Sequence, residues 1–106
     1  MKIVGVAACI TGVAHTYMAQ EAIEQECKKR GYDVKVETQG GMGIENELTE
    51  DEIAEADVVI LAIAIGIEGV ERFEEKEDAG LVISLNPAEV VRDPAAIIDR
   101  AEKLAS

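Results

Sequence analysis

Long apolar runs along the chain are separated by stretches in which apolar residues recur every three or four positions, and this alternation predicts strands and helices in turn. Residues 2–8 and 58–65 are almost entirely apolar, which is typical of strands buried on both faces of a sheet. Residues 32–38 alternate between apolar and polar side chains, which predicts a strand with one less-covered face near the sheet edge. Residues 81–85 complete the set of four predicted strands.

A stretch with helical character follows each predicted strand. The predicted helices cover residues 14–30, about 49–56, 71–76 and 94–104. Gly31 ends the first helix, and Thr49 and Glu52 have the spacing of a capping box at the start of the second. Phe73 is the one large apolar anchor of the charged third helix, and Asp93 is a good N-cap for the last.

The resulting order, βαβαβαβα, predicts an α/β fold that forms a single domain over residues 1–106. We expect a four-stranded parallel sheet with right-handed crossovers and helices on both faces. A chain of this length can bury one core but not two. Because ligands bind beyond the carboxyl ends of the strands in such folds, the loop after the first strand is the expected site.

Composition narrows the class of partner. The chain has 22 acidic and 10 basic residues and a formal net charge of −12, which would repel nucleic acid and anionic membrane surfaces. This acidity serves either solubility alone or contact with a basic partner protein. No apolar run approaches the roughly 20 residues that span a bilayer, and the first residues lack a signal-peptide pattern. We therefore expect a cytoplasmic location without insertion into a membrane.

Neither a metal ion nor another cofactor is expected. Cys9 and Cys27 are too far apart for a CxxC redox motif, and two cysteines with one histidine are too few for a zinc site. No glycine-rich loop has the form of a P-loop or of a dinucleotide fingerprint. The glycine-rich residues 40–43 predict either a mobile flap beside the loop after the first strand or a plain turn.

Residues 9–16, between the first strand and the first helix, have the most chemical content. Amides at a helix N-terminus lack intrahelical partners and carry the positive end of the helix dipole, so they can cradle a phosphate. Gly12 allows a tight turn, and Thr11 and Thr16 add hydroxyl donors. The same amides favour the thiolate of Cys9, which makes Cys9 a candidate nucleophile and phosphate acceptor. The alternative is that Cys9 is a small core residue.

His15 is the sixth residue after Cys9, and its identity separates two kinds of chemistry. Low-molecular-weight tyrosine phosphatases share this architecture and have an arginine at that place. An arginine clamps phosphate through two bonds, whereas an imidazole is a weaker and titratable donor. His15 therefore favours a site that holds phosphate briefly and releases it. The alternative is that His15 only caps the start of the helix.

Two stretches of the sequence resemble one family. Residues 8–19 read ACITGVAHTYMA, which is similar to the ACPTGIAHTYMA loop of enzyme IIB components of the fructose family of phosphoenolpyruvate-dependent sugar phosphotransferase systems. Residues 36–40 read VETQG and residues 43–49 read GIENELT, which resemble a second family stretch. The resemblance covers residues 1 to about 75 well and thins after residue 76.

The resemblance implies a phosphoryl carrier that acts as a protein-phosphohistidine–sugar phosphotransferase through a phosphocysteine intermediate. A phospho-IIA protein, itself charged by a histidine phosphocarrier, would load Cys9. The phosphate would then pass to fructose or a related hexose, held by a separate membrane-embedded IIC permease.

The family's phosphate loop extends over the residues after the cysteine. The candidate phosphate-binding residues are Ile10, Thr11, Gly12, Val13, Ala14, His15 and Thr16. Ile10 stands where the family usually has proline, so the loop gains an amide donor and loses rigidity. Two other functions stay open at this point: a phosphatase or arsenate-reductase-like enzyme that uses the same cysteine loop, and a regulatory module that binds a partner according to its phosphorylation state.

Overall fold

A computed structural model of the chain describes residues 1–9, 13–40 and 43–105. The strands are β1 (Lys2–Ala8), β2 (Asp33–Gly40), β3 (Gly43–Glu45), β4 (Val58–Ile63) and β5 (Val82–Leu85). The helices are α1 (Val13–Lys29), α2 (Glu50–Glu55), α3 (Glu74–Asp78), α4 (Pro87–Arg92) and α5 (Pro94–Ala105), and a 3-10 helix covers Val70–Phe73. The predicted α/β class is confirmed.

Within the described residues the sheet has five strands in the order β3-β2-β1-β4-β5. β1 lies between β2 and β4 and is parallel to both, and β5 is parallel to β4. These are the four predicted parallel strands. The predicted strand count was wrong because β3 adds a short antiparallel strand to the outer edge of β2, so the sheet is mixed.

β3 was not predicted, because its sequence has no alternating apolar pattern. It is three residues long and all three side chains are exposed. It forms because the chain reverses after Gly40, which pairs with Gly43 across the hairpin. Gly43 has a φ of +90°, a left-handed backbone region that favours glycine.

The sheet divides the hydrophobic interior into two layers, one on each face, which we call the first core and the second core, and the side chains of β1 alternate between them. Ile3 and Ala7 face the first core, whereas Val4 and Val6 face the second. Helices α1, α4 and α5 cover the first core with residues Ala19, Ile23, Cys27, Val90, Ile98 and Ala101. The second core is covered by α2, its flanking residues and the 3-10 helix, through Leu48, Ile53, Ala56 and Phe73. Helical segments therefore cover both faces of the sheet, as expected.

The predicted less-covered face of the second strand is buried toward its carboxyl end. Glu37 is fully buried and Gln39 is only 8% exposed, although both are polar. The pattern misleads here because the segment before α2 and the loop after β4 fold over this face. They satisfy its polar groups with hydrogen bonds, and a polar side chain with partners can be buried at small net cost.

The helix starts follow the local sequence. The capping box of Thr49 and Glu52 opens α2 as predicted, and the Asp93 carboxylate accepts a hydrogen bond from the Ala96 amide at 3.2 Å at the start of α5. The predicted helix over residues 71–76 begins instead as the 3-10 helix and continues as α3. α4 was not predicted as a separate helix, although Asn86 gives it a capping box. It is only six residues long, too short for a clear apolar repeat.

Candidate functional site

Cys9 lies at the centre of the carboxyl edge of the sheet. It directly follows β1, whose last residue, Ala8, pairs with Gln39 of β2 and with Ile63 of β4. α1 begins at Val13, four residues after Cys9. Cys9 and the start of α1 therefore lie where the sequence pattern predicts them.

The candidate loop residues occupy different environments. Cys9 is partly buried, and residues 13–16 form the first turn of α1. Ile10, Thr11 and Gly12 lie outside the described residues. The His15 side chain is exposed, whereas Thr16 is only 2% exposed. Among the described residues, the Thr16 hydroxyl has no hydrogen-bond partner, which is unusual for a buried polar atom.

A cleft of about 390 Å³ opens beside Cys9. Its lining comes from three parts of the chain: Cys9 itself, the β2–β3 hairpin and the loop after β4. The lining residues are Cys9, Gln39, Gly40, Gly43, Ile44, Ile65 and Glu68. Such a volume lies within the range of roughly 300–1,000 Å³ that is common for sites that bind small molecules.

The cleft includes residues that the sequence analysis did not indicate. Gly40 and Gly43, which the sequence analysis had considered, pair in the hairpin and line the cleft together with Cys9. Gln39, Ile65 and Glu68 were missed. Strand order could have indicated them, because they follow or end the two strands that flank β1 and therefore reach the same edge.

A buried carboxylate lies behind the cleft wall. Glu37 accepts hydrogen bonds from Arg72 Nη1 at 2.9 Å and Nη2 at 3.0 Å. It also accepts bonds from the Leu48 amide at 2.8 Å and from Gln39 Nε2 at 2.6 Å. Burial by itself raises the pKa of Glu37, but these donors outweigh it and hold the pKa below its usual value. The carboxylate is therefore charged at neutral pH.

Gln39 and Arg72 extend this network to the loop after β4. Gln39 Nε2 donates to the Glu68 carbonyl at 3.0 Å, and the Glu68 amide donates to Gln39 Oε1 at 2.8 Å. Arg72 Nε donates to the Gly69 carbonyl at 2.7 Å, and Nη2 donates to the Glu68 carbonyl at 3.2 Å. The loop that carries Ile65 and Glu68 is thus held from below by two side chains.

Gly69 is required by the shape of this loop. Its φ of +71° lies in the left-handed region, and a Cβ atom there would lie 2.5 Å from Arg72 Nε. An L side chain would therefore be strained by the backbone and would collide with the guanidinium group.

The β2–β3 hairpin is attached to α1. The Tyr17 hydroxyl donates to the Glu45 carboxylate, which joins the second turn of α1 to β3. This hydrogen bond, with smaller effects of burial and of the Glu45 charge, raises the pKa of Tyr17. The hairpin side of the cleft is therefore fixed relative to the helix that follows Cys9.

Cys27 has the environment of a structural residue. It lies in α1 and is fully buried in the first core. Burial raises the pKa of its thiol to about 12, so the thiol is protonated at neutral pH. A protonated and buried thiol is a poor nucleophile.

In the part of the chain that the structure describes, no helix is long and apolar enough to cross a membrane. No group of three or more His, Cys, Asp or Glu side chains in those residues is arranged to hold a metal ion.

Comparison with known proteins gives matches over nearly the whole chain. The family model described as "PTS system, Lactose/Cellobiose specific IIB subunit" matches residues 4–100. The "PTS system fructose-like EIIB component 2" of Escherichia coli is 48% identical over 101 residues, which cover 95% of this chain and 92% of that protein.

A solved structure and a longer protein agree with these matches. A crystallised domain of a fructose-specific IIABC component from Borrelia burgdorferi has a TM-score of 0.85 and 48% identity, covering 94% of this chain and 91% of that one. The "PTS system fructose-specific EIIB'BC component" of Vibrio cholerae is 53% identical over 76 residues, which are 72% of this chain and 13% of that protein.

Proposed function

Because the chain belongs to the IIB family of the sugar phosphotransferase system, with fructose-like IIB components among its relatives, we propose that Cys9 carries the phosphoryl group that this family transfers. The observation that supports this most is the position of Cys9. It follows the central strand, precedes the N-terminus of α1 and lines the cleft, whereas Cys27 is buried in the core.

The proposed reaction consists of two displacements at phosphorus. The Cys9 thiolate attacks the phosphohistidine of a IIA protein, so that the N–P bond breaks as an S–P bond forms, and the departing imidazole nitrogen takes up a proton from solvent. A sugar hydroxyl then attacks, the S–P bond breaks as an O–P bond forms, and the hydroxyl releases its proton to solvent. The thiolate is regenerated and the cycle can repeat.

The first turn of α1 is suited to both steps. Its amides have no intrahelical acceptor and point toward the helix start, where they can stabilise the thiolate and the phosphate dianion. The buried Thr16 hydroxyl, without a partner in the described residues, is a further donor for the phosphate. The exposed His15 adds an adjustable contact. Because phosphoryl transfer passes through a loose transition state, such positioning and charge stabilisation supply most of the catalysis.

The partners follow from the family. A phospho-IIA protein loads Cys9, and a membrane-embedded IIC component presents the sugar. The name of the Vibrio cholerae relative, which combines B and C components, supports a IIC partner. We place the relay in the cytoplasm, where thiols stay reduced.

The sugar is proposed as fructose or a related hexose. The relatives at 48% identity are named fructose-like or fructose-specific, whereas the matching family model is described by lactose and cellobiose. We give more weight to the relatives, because they match individual residues over nearly the whole chain.

Reconstitution of the relay tests the proposal. The wild-type chain, Cys9→Ser and Cys27→Ser are each incubated with labelled phosphoenolpyruvate, the general relay proteins, a fructose-type IIA protein and IIC membranes, first with fructose and then with lactose. Wild type and Cys27→Ser should form labelled fructose phosphate, and Cys9→Ser should form none. Steady hydrolysis of p-nitrophenyl phosphate by the wild type, without sugar phosphorylation, would instead indicate the phosphatase alternative.

A further inference from the structure

The side of the cleft opposite the β2–β3 hairpin is a loop without secondary structure of its own. Residues 64–69 connect β4 to the 3-10 helix, and Ile65 and Glu68 of this loop line the cleft together with Cys9. A loop is held in one shape only where its backbone groups find fixed partners. What holds this loop therefore decides the shape of the cleft.

Glu37 is the centre of the support. Its carboxylate is fully buried and takes hydrogen bonds from Arg72, Gln39 and the Leu48 amide. A buried charge without partners would be very costly, but here both oxygens are bonded and a guanidinium group lies against them. The pair is bidentate, which fixes direction as well as distance.

Arg72 connects two separate segments to that carboxylate. Besides Glu37, it donates to the carbonyl oxygen of Leu48 at 2.9 Å, before α2. It also donates to the carbonyl oxygens of Glu68 and Gly69 in the loop. A planar guanidinium group with five N–H donors can serve several acceptors in fixed directions, whereas a lysine ammonium group cannot reproduce this fork. Gly69 leaves room for it, as described above.

Gln39 joins the same network to the cleft surface. Its amide oxygen and nitrogen bind the Glu68 amide and carbonyl, as a neighbouring strand would, and its nitrogen also binds Glu37. Gln39 itself lines the cleft, so it links the buried ion pair directly to the loop residues that line the cleft beside it.

We propose that Glu37, Gln39 and Arg72 are positioning residues that hold the 64–69 loop against Cys9 as a docking wall for the protein that donates the phosphoryl group. This inference rests on the proposed function and deepens it. The wall presents an apolar side chain, Ile65, and an acidic one, Glu68, beside the reacting sulfur. A displaced wall weakens docking, whereas the amides of α1 that serve the transfer step belong to another element.

The kinetic consequence separates positioning from general stability. Loss of folded protein lowers the apparent kcat per total protein and leaves KM unchanged. Loss of a docking surface raises KM for the donor and leaves kcat at saturating donor nearly unchanged. Wild type is first used to select a phosphorylated fructose-type IIA protein from which it accepts phosphate on Cys9, and that protein is then the donor for all variants.

Two variants weaken the wall in different ways. Arg72→Lys keeps the charge but loses the fork, and Gln39→Met keeps the ion pair but disconnects the loop.

The matched control is Arg30→Lys, because Arg30 also makes several bonds, to Glu26, Asp99, Glu102 and the Ala95 carbonyl. It lies at the other end of α1, a 17-residue helix about 25 Å long. Thermal denaturation gives the folded fraction of each protein.

Both wall variants should raise KM for the phosphorylated IIA protein by roughly 10-fold while kcat per folded protein stays within about 2-fold, and Arg30→Lys should change neither. If Arg72→Lys does not fold, Gln39→Met decides alone. An unchanged KM in the folded wall variants, or an equal rise in Arg30→Lys, would overturn the inference. Absence of phosphate on Cys9 in the wild type would instead contradict the proposed function.

Discussion

At the residue scale, the fold places the two cysteine thiols in opposite environments. Cys9 reaches the cleft because the central strand ends there, whereas Cys27 faces the first core from within α1. Burial raises the pKa of Cys27 to about 12, so its sulfur packs as a small apolar group. Position in the fold therefore separates the two thiols, although the residue type is the same.

Substitution of the buried thiol tests this separation. Cys27→Ser should lower the free energy of unfolding by about 1–3 kcal/mol, because it places a hydroxyl group in an apolar core. Phosphoryl acceptance by the folded protein should not change. Urea denaturation measures the first effect and transfer of labelled phosphate the second. A folded variant that accepts no phosphate would show that the wrong thiol was chosen.

The residues of the site divide by how local their signals are. The place of Cys9 at a strand end and of His15 and Thr16 at a helix start could be predicted, because both elements have clear patterns that adjoin within one short segment. The pairing of Glu37 with Arg72 could not be predicted, because the two residues are 35 positions apart in the sequence. In addition, a charged residue in an alternating strand pattern indicates a side chain that faces solvent. Periodicity reports which side chains are apolar and gives no information on long-range polar pairing.

At the element scale, the prediction succeeded where a pattern is long and failed where it is short. β1 has the predicted bounds and α1 differs by one residue at each end, since both have a continuous apolar signal. β3 and α4 depend on a hairpin and a capping box within three and six residues, which is too short for a repeat. Tertiary contacts decide such elements.

The contact between β2 and α2 should give a pH-dependent stability. Lys35 Nζ donates to both carboxylate oxygens of Glu52, which also accepts a bond from the Thr49 amide. The Lys35 bond is the main cause that lowers the pKa of Glu52 from 4.5 to about 2. A carboxylate with a lowered pKa in the folded state stabilises the fold above its usual pKa, and this contribution is lost as the pH falls toward about 2.

Glu52→Gln tests that window. The variant should be less stable than the wild type at neutral pH. The difference between the two free energies of unfolding should shrink as the pH falls from the usual carboxyl pKa of 4.5 toward about 2. Urea denaturation across a series of pH values measures it. Glu50→Gln, on the same helix, is the control, because the Glu50 carboxylate makes no hydrogen bond to the described residues, so at neutral pH this variant should lose less stability than Glu52→Gln. A constant difference for Glu52→Gln at every pH would contradict the assignment.

At the scale of the whole molecule, the cleft lies at the carboxyl edge of the sheet. Its lining comes from Cys9, from the described residues of the β2–β3 hairpin, and from Ile65 and Glu68 after β4, which meet because β1, β2 and β4 are neighbouring parallel strands. The hydrogen bond between Tyr17 and Glu45 fixes one side, and the network of Glu37 fixes the other. The sheet and these hydrogen bonds therefore hold the residues around Cys9 in one arrangement.

The proposed role of His15 can be tested by substitution. If its exposed imidazole donates to the phosphate and does not accept the phosphoryl group, as we propose, His15→Ala should slow the loading of Cys9 by roughly 10- to 100-fold without abolishing it. Rapid-quench loading from a phosphorylated IIA protein measures the rate. A wild-type rate would mean that His15 makes no contact with the phosphate during transfer.

The most direct test of the central claim is mass spectrometry of the chain after incubation with phosphoenolpyruvate and the relay proteins, with the modified residue identified by fragmentation. The wild type should gain one phosphoryl group on Cys9, and the group should show an acid stability unlike that of phosphohistidine. Cys9→Ser should gain none and should pass none to sugar. Phosphate on His15, or sugar phosphorylation by Cys9→Ser, would contradict the account.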